Sequence, residues 1–170
     1  MQHSTKKLGM MFTACAWLLG FFLLALLFSK ILDTQNNPNR SLNITQTGEY
    51  RQVVLSRNRY GHYVFDGEIN QKKVTFLVDT GATTTSIPGK LQGYLGLDAG
   101  RAITMTTANG DSTAYMTQLG QLGIGTIEFT DIRAAIVPGF SGNEVLLGMN
   151  VLKQMELIQR DGELIIRQYL

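Results

Sequence analysis

The stretch Phe76-Leu77-Val78-Asp79-Thr80-Gly81-Ala82-Thr83-Thr84-Thr85-Ser86-Ile87-Pro88 runs three apolar residues into an acid, a glycine and then a series of small and hydroxyl side chains. Phe76, Leu77 and Val78 are apolar at consecutive positions, so both faces of the strand they predict are apolar, as in a strand buried on two sides. A carboxylate at the end of such a strand is costly unless something pairs with it, so Asp79 needs a reason. Two reasons are open. Asp79-Thr80-Gly81 can be an Asx-type turn in which the acid satisfies its own backbone. Alternatively the acid does chemistry on a tight turn, where Gly81 permits close backbone approach and Ala82 and Thr83-Thr84-Thr85 are small enough to pack beneath.

A second element lies further along. Val145-Leu146-Leu147-Gly148-Met149 places apolar residues before a glycine and then a helix-like segment. It reads either as a core strand with a glycine bend or as a second loop able to cross closely over the first. Around these two segments the chain breaks into short β-type runs at 51–55, 60–70 (interrupted at Asp66-Gly67), 73–78, 102–107, 114–124, 127–137, 156–159 and 164–168. Asp161-Gly162 and Asn109-Gly110 are hairpin signals. Short helices are expected near 89–95 and 149–155. Many short strands with abundant glycine predict a small, mainly β barrel or sandwich.

The N-terminal part is of another kind. No charged residue occurs from Leu8 to Ser29. As a helix this stretch is about 33 Å long, enough to cross a hydrocarbon core of about 30 Å. Lys6 and Lys7 precede it and Lys30 closes it, which predicts a cytoplasmic N-terminus with the remainder outside. The apolar region is long for a signal peptide, and Phe28-Ser29-Lys30-Ile31-Leu32 offers no small-x-small cleavage site, so a retained anchor is expected. Residues 1–7 are then cytoplasmic, 8–29 transmembrane, 30–49 a polar linker and 50–170 the domain. Asn43-Ile44-Thr45 is a formal glycosylation acceptor, meaningful only in a host that glycosylates exported chains.

Composition excludes several functions. Three of the 15 Lys and Arg flank the apolar stretch, leaving 12 against 13 Asp and Glu, so nucleic-acid binding is not expected. The single cysteine, Cys15, is inside the apolar run, so the domain has no disulfide. Beyond that run the only histidine is His62, too few soft ligands for a metal site. Ser86, Ser112 and Ser141 lack the G-x-S-x-G setting of a serine hydrolase.

Phe76-Leu77-Val78-Asp79-Thr80-Gly81-Ala82, followed at this distance by Leu146-Leu147-Gly148-Met149-Asn150-Val151-Leu152, resembles the retropepsin-type aspartic proteases, most of all the bacterial, membrane-anchored, single-domain members. The likeness covers roughly residues 50–170. It implies an acid-protease half-barrel with one or two short helices, preceded by one transmembrane helix. It implies an endopeptidase that needs no cofactor or metal, with Asp79 as the catalytic acid. One Asp-Thr-Gly per chain is half a site, so the resemblance also implies a homodimer acting on a peptide or protein substrate. Thr80, Gly81, Ala82 and Gly148 would support the active-site loop. Ala108, Asn109, Gly110 and Asp111 fall where the family has its flap. The implied location is a bacterial inner membrane, single-pass, with the domain in the periplasm. The alternative is a membrane-anchored peptide-binding or dimerisation module of the same fold that does not cut.

Overall fold

The computed structural model describes residues 2–107 and 110–170, with side chains from residue 9 onward apart from that of Thr107. Contacts divide the chain at Asn36 and Asn37 into two units. The first is helix α1, Gln2–Asn36, whose apolar side chains from Met10 to Leu32 are exposed to the surroundings. It is long and apolar enough to cross a membrane. The helix continues seven residues past Ser29, into the stretch expected to be linker. No breaker occurs before Pro38, and the residue preceding a proline is driven out of the helical region, so the helix stops at Asn36.

Among the described residues the second unit has eleven strands. In chain order they are β1 (Asn43–Gln46), β2 (Tyr50–Ser56), β3 (Val64–Ile69), β4 (Lys72–Val78), β5 (Thr85–Pro88), β6 (Ala102–Thr107), β7 (Gly110–Ile124), β8 (Ile127–Val137), β9 (Val145–Leu147), β10 (Glu156–Arg160) and β11 (Glu163–Tyr169). A 3-10 turn at Gly89–Leu91 leads into the one-turn helix α2, Gln92–Leu95, and α3 is Met149–Leu152. Strand β1 also lies in the stretch expected to be linker: its residues are exposed, but its backbone pairs with β2 from Asn43 opposite Val54 to Gln46 opposite Arg51.

Seven strands run in the order β3-β4-β9-β5-β8-β7-β6, and β3 also pairs with the far end of β7, so the sheet closes on itself. Inward-facing Phe65, Phe76, Ile87, Leu119, Leu122, Ile124, Ile136 and Leu147 are fully buried and fill it. The rings of Phe65 and Phe76 stack with centroids 5.3 Å apart. Asp66-Gly67 does not interrupt β3. Gly67 is there because β7 and the Phe76 ring crowd it: a Cβ would meet the Gly123 carbonyl oxygen at 2.6 Å. The chain reverses at Asn70-Gln71, both left-handed with φ of 50° and 63°, in a two-residue hairpin closed by Ile69 opposite Lys72. Asn70 stabilises it by accepting the Gln121 N–H.

The remaining strands form an antiparallel sheet in the order β1-β2-β11-β10. Val53, Leu55, Leu164 and Ile166 turn one face of it to the core. Asp161-Gly162 makes the β10–β11 turn, both residues left-handed, as the sequence predicts. On the opposite face Arg167 donates to Gln52 and Tyr169, and its guanidinium lies over the Tyr50 ring. The bond to Tyr169 holds the Arg167 pKa above its ordinary value.

Candidate active site

The architecture around Asp79 depends on a strand from far along the chain. Strand β4 runs parallel to β9, Phe76 opposite Val145 and Val78 opposite Leu147. Strand β9 pairs on its other side with β5, Ser86 opposite Leu146. The loop carrying Asp79 leaves β4 and returns as β5 on the far side of β9. It therefore arches over a strand some sixty residues downstream in sequence.

Asp79 sits one residue past β4 and is half-buried. Its backbone N–H donates to the Leu147 carbonyl at 3.1 Å, extending the β4–β9 ladder by one rung. Its Oδ1 accepts the Gly81 N–H at 2.9 Å, and its carbonyl accepts the Ala82 N–H at 3.3 Å. Thus Asp79-Thr80-Gly81 is an Asx turn, and the acid is aimed by its own loop. Leu77 and Val78, expected to be covered on both faces, are only half-buried, and Thr80 and Gly81 are exposed.

Gly148 is buried where the loops cross. A Cβ there would lie 2.6 Å from the Thr84 carbonyl carbon, 2.8 Å from the Thr85 nitrogen and 2.9 Å from the Ala82 oxygen. Its φ of −87° is open to any residue, so glycine is required by close approach and not by backbone conformation. Two backbone bonds stitch the crossing: Met149 N–H to the Ala82 carbonyl at 2.8 Å, and Asn150 N–H to the Thr83 carbonyl at 3.1 Å.

Two residues that sequence reading did not single out complete the lock. Asn150 Oδ1 accepts both the Thr85 N–H, at 2.8 Å, and the Thr85 hydroxyl, at 3.0 Å. Asn150 Nδ2 donates to the Arg133 carbonyl at 2.7 Å, tying α3 to β8. The fully buried Thr85 in turn accepts the Gly148 N–H at 3.3 Å through Oγ1. The available signal was a lone polar residue inside the apolar run from Leu146 to Leu152.

Asp79, Thr80, Gly81, Ala82 and Gly148 are therefore brought together in one knot. Of the expected flap residues, Ala108 and Asn109 lie outside the described residues. Gly110 and Asp111 open β7, both exposed, in a hairpin where Thr107 pairs with Gly110. Asp111 Oδ1 accepts the Thr106 hydroxyl at 2.8 Å, bracing the hairpin across its two strands. Among the described residues no cluster of His, Cys, Asp and Glu is placed to hold a metal ion.

A closed barrel with one Asp-Thr-Gly loop, locked over a Leu-Leu-Gly strand, is the protomer architecture of an acid protease. The comparisons with known proteins agree. Residues 65–154 match the family model described as "gag-polyprotein putative aspartyl protease". The crystal structure of a retropepsin-like aspartic protease from Rickettsia conorii is similar, with a TM-score of 0.61 at 27% identity, covering 76% of this chain and 96% of that one. An uncharacterised protein of a Sinorhizobium species is 31% identical over 134 residues, 76% of this chain and 58% of that protein. Another, from Rickettsia prowazekii, is 31% identical over 129 residues, 74% of this chain and 53% of that protein. The chain thus spans a little over half the length of these two relatives. It belongs to the retropepsin-like aspartic proteases.

Proposed function

We propose that this chain is an aspartic endopeptidase whose active site assembles from two copies, each contributing Asp79. The observation that carries this reading is the half-finished state of the knot. One chain holds a single acid in a rigidly braced Asx turn, yet leaves Thr80 and Gly81 exposed and Leu77 and Val78 only half covered. A second copy related by a two-fold axis presents the same surface and would complete both the burial and the acid pair.

Two carboxylates held that close share one proton, because both cannot ionise cheaply. The ionised member takes a proton from a bound water as its oxygen bonds to the scissile carbonyl carbon. The protonated member donates a hydrogen bond to the carbonyl oxygen. As the tetrahedral intermediate collapses, the carbon–nitrogen bond breaks and a proton passes to the leaving amine. Thr80 hydroxyls would lock the two loops across the axis, Gly81 and Ala82 would line the cleft, and Gly148 would keep the loops seated. The hairpin that includes Gly110 and Asp111 would close over an extended peptide, supplying main-chain hydrogen bonds and excluding water.

Helix α1 is read as an anchor in a bacterial inner membrane, with the domain on the periplasmic side. Its apolar length and the lysines before it support this. Confinement to a plane raises the local concentration of chains, favouring a dimer that would be weak in solution.

The test is digestion of a peptide library by the full chain in detergent micelles, across pH, beside Asp79→Asn. Cleavage by the unsubstituted chain and none by the variant is expected. Cleavage at an undiminished rate by Asp79→Asn would remove Asp79 from the mechanism.

A further inference from the structure

The second unit begins at Asn37, and two buried asparagines tie its first residues into the domain. Asn39 Nδ2 donates to the Ser56 carbonyl at 2.9 Å and to the Val64 carbonyl at 2.7 Å, and its Oδ1 accepts the Ser56 N–H at 2.8 Å. Asn37 Nδ2 donates to Asp66 Oδ1 at 2.7 Å, and Asn37 Oδ1 accepts the Asn39 N–H at 3.1 Å. Ser56 and Val64 are the two stems of the loop between β2 and β3. Asn39, the third residue after the helix, therefore staples the chain to the base of that loop.

Chain length then bounds where the loop can be. The seven helical residues after Ser29 add about 10 Å. The three residues from Asn36 to Asn39 add at most about 11 Å. Covalent reach alone therefore limits the base of the loop to at most roughly 20 Å from the hydrocarbon edge, if that edge is at Ser29. The headgroup layer occupies about 6 Å of that distance on each side, and charge is felt for about 8 Å beyond it.

The loop itself is Arg57-Asn58-Arg59-Tyr60-Gly61-His62, with no acid. It is folded around Asn58. Asn58 Oδ1 accepts the N–H groups of Tyr60 and His62, both at 2.9 Å, and the backbone of Asn58 bonds the His62 carbonyl and the Gly61 N–H. With those amides turned inward, the side chains of Arg57, Arg59, Tyr60 and His62 are presented outward and exposed. Tyr60 is 63% exposed, an amphipathic ring left uncovered. The Arg59 guanidinium lies 4.9 Å from its centroid, and Arg57 Nε donates to the Tyr63 hydroxyl. The adjoining β10–β11 turn, held by Arg57 N–H to the Gly162 carbonyl, brings Arg160 together with Asp161 and Glu163. Tyrosine settles at headgroup depth and the guanidinium fork matches phosphate oxygens.

We propose that the 57–62 loop docks on anionic phospholipid headgroups of the same bilayer, so that Arg57, Arg59 and Tyr60 orient the domain against the membrane surface. This rests on the reading of α1 as a membrane span. The test uses the full chain, with Cys15→Ala and His62→Cys bearing a nitroxide, reconstituted into two kinds of vesicle. One is phosphatidylcholine and the other is phosphatidylcholine with phosphatidylglycerol.

The nitroxide is expected to lose exposure to an aqueous relaxation agent in the anionic vesicles alone, and to regain it in high salt. In Arg57→Gln/Arg59→Gln the docked-to-undocked ratio should fall about 30-fold, roughly five-fold for each arginine. The salt arm needs no substitution at the arginines, so it stands even if that variant is poorly folded. Quenching of Trp17, the one tryptophan, by brominated lipid reports the anchor independently. Trp17 quenched with a nitroxide equally exposed in both vesicles overturns the docking while the anchor stands. Trp17 unquenched overturns the anchor and the docking with it.

Discussion

Gly148 and Thr84 approach so closely that a methyl group on the glycine would lie 2.6 Å from the Thr84 carbonyl carbon. The Asp79 loop and the segment crossing beneath it touch backbone to backbone, and this contact seats the loop. Replacing Gly148 by alanine must push the Asp79 loop away. Overpacking of this kind costs about 1–3 kcal/mol, so Gly148→Ala should lower the urea midpoint by a corresponding amount and lower cleavage with it. Gly93→Ala is the control, because a Cβ there meets nothing within 4 Å. Equal stability of the two variants would show that the crossing can relax.

Asn150 should matter for the same reason. Its amide satisfies the Thr85 N–H, the Thr85 hydroxyl and the Arg133 carbonyl, and truncation leaves these without a partner. Asn150→Ala should destabilise the domain by about 1–3 kcal/mol. Hydrogen exchange at the Thr85 amide should quicken, while that at Leu164, in the other sheet, changes only with global stability.

Asp79→Asn should abolish cleavage without unfolding the chain, because asparagine keeps the side-chain oxygen that accepts the Gly81 N–H. Loss of an acid–base group costs about 100- to 10,000-fold in rate. If two copies share one site, mixing equal amounts of active chain and variant should leave about one quarter of the activity once subunits have exchanged. Half would mean that each chain works alone.

If two copies share one proton between their Asp79 carboxylates, a dependence on pH follows. Activity should rise and fall with acidity: at low pH both members of the pair are protonated and no base remains, and at high pH both are ionised and no acid remains. A rate that keeps climbing through alkaline pH would exclude the pair as acid and base.

Asn39→Ala removes three bonds that join the start of the domain to β2 and β3. Protection from hydrogen exchange at Ser56, whose N–H donates to Asn39 Oδ1, should be lost first, at a cost of about 1–3 kcal/mol for each buried group left unsatisfied. Unchanged exchange at Ser56 would mean that water replaces the asparagine without penalty.

Much of this was legible from the chain itself. Local periodicity is a short-range property, and so most strands, the Asp161-Gly162 turn and the apolar helix could be read from neighbouring residues. The strands it hid were those with little local signal. β1 is exposed throughout and is held by pairing with β2, whereas β5 is four residues long and wholly buried. A break was expected at Asp66-Gly67 because a glycine needed for close packing looks, in sequence, like one that interrupts a strand.

The sequence alone determined that a single acid stands on a glycine turn at the end of an apolar run, and that a second apolar-glycine element follows. It could not say that the second passes beneath the first. That depends on β9 entering between β4 and β5, and on Asn150 reaching Thr85 across 65 positions. Turn chemistry acts over a few residues, whereas a crossing of loops is selected by packing between segments brought together only when the barrel closes.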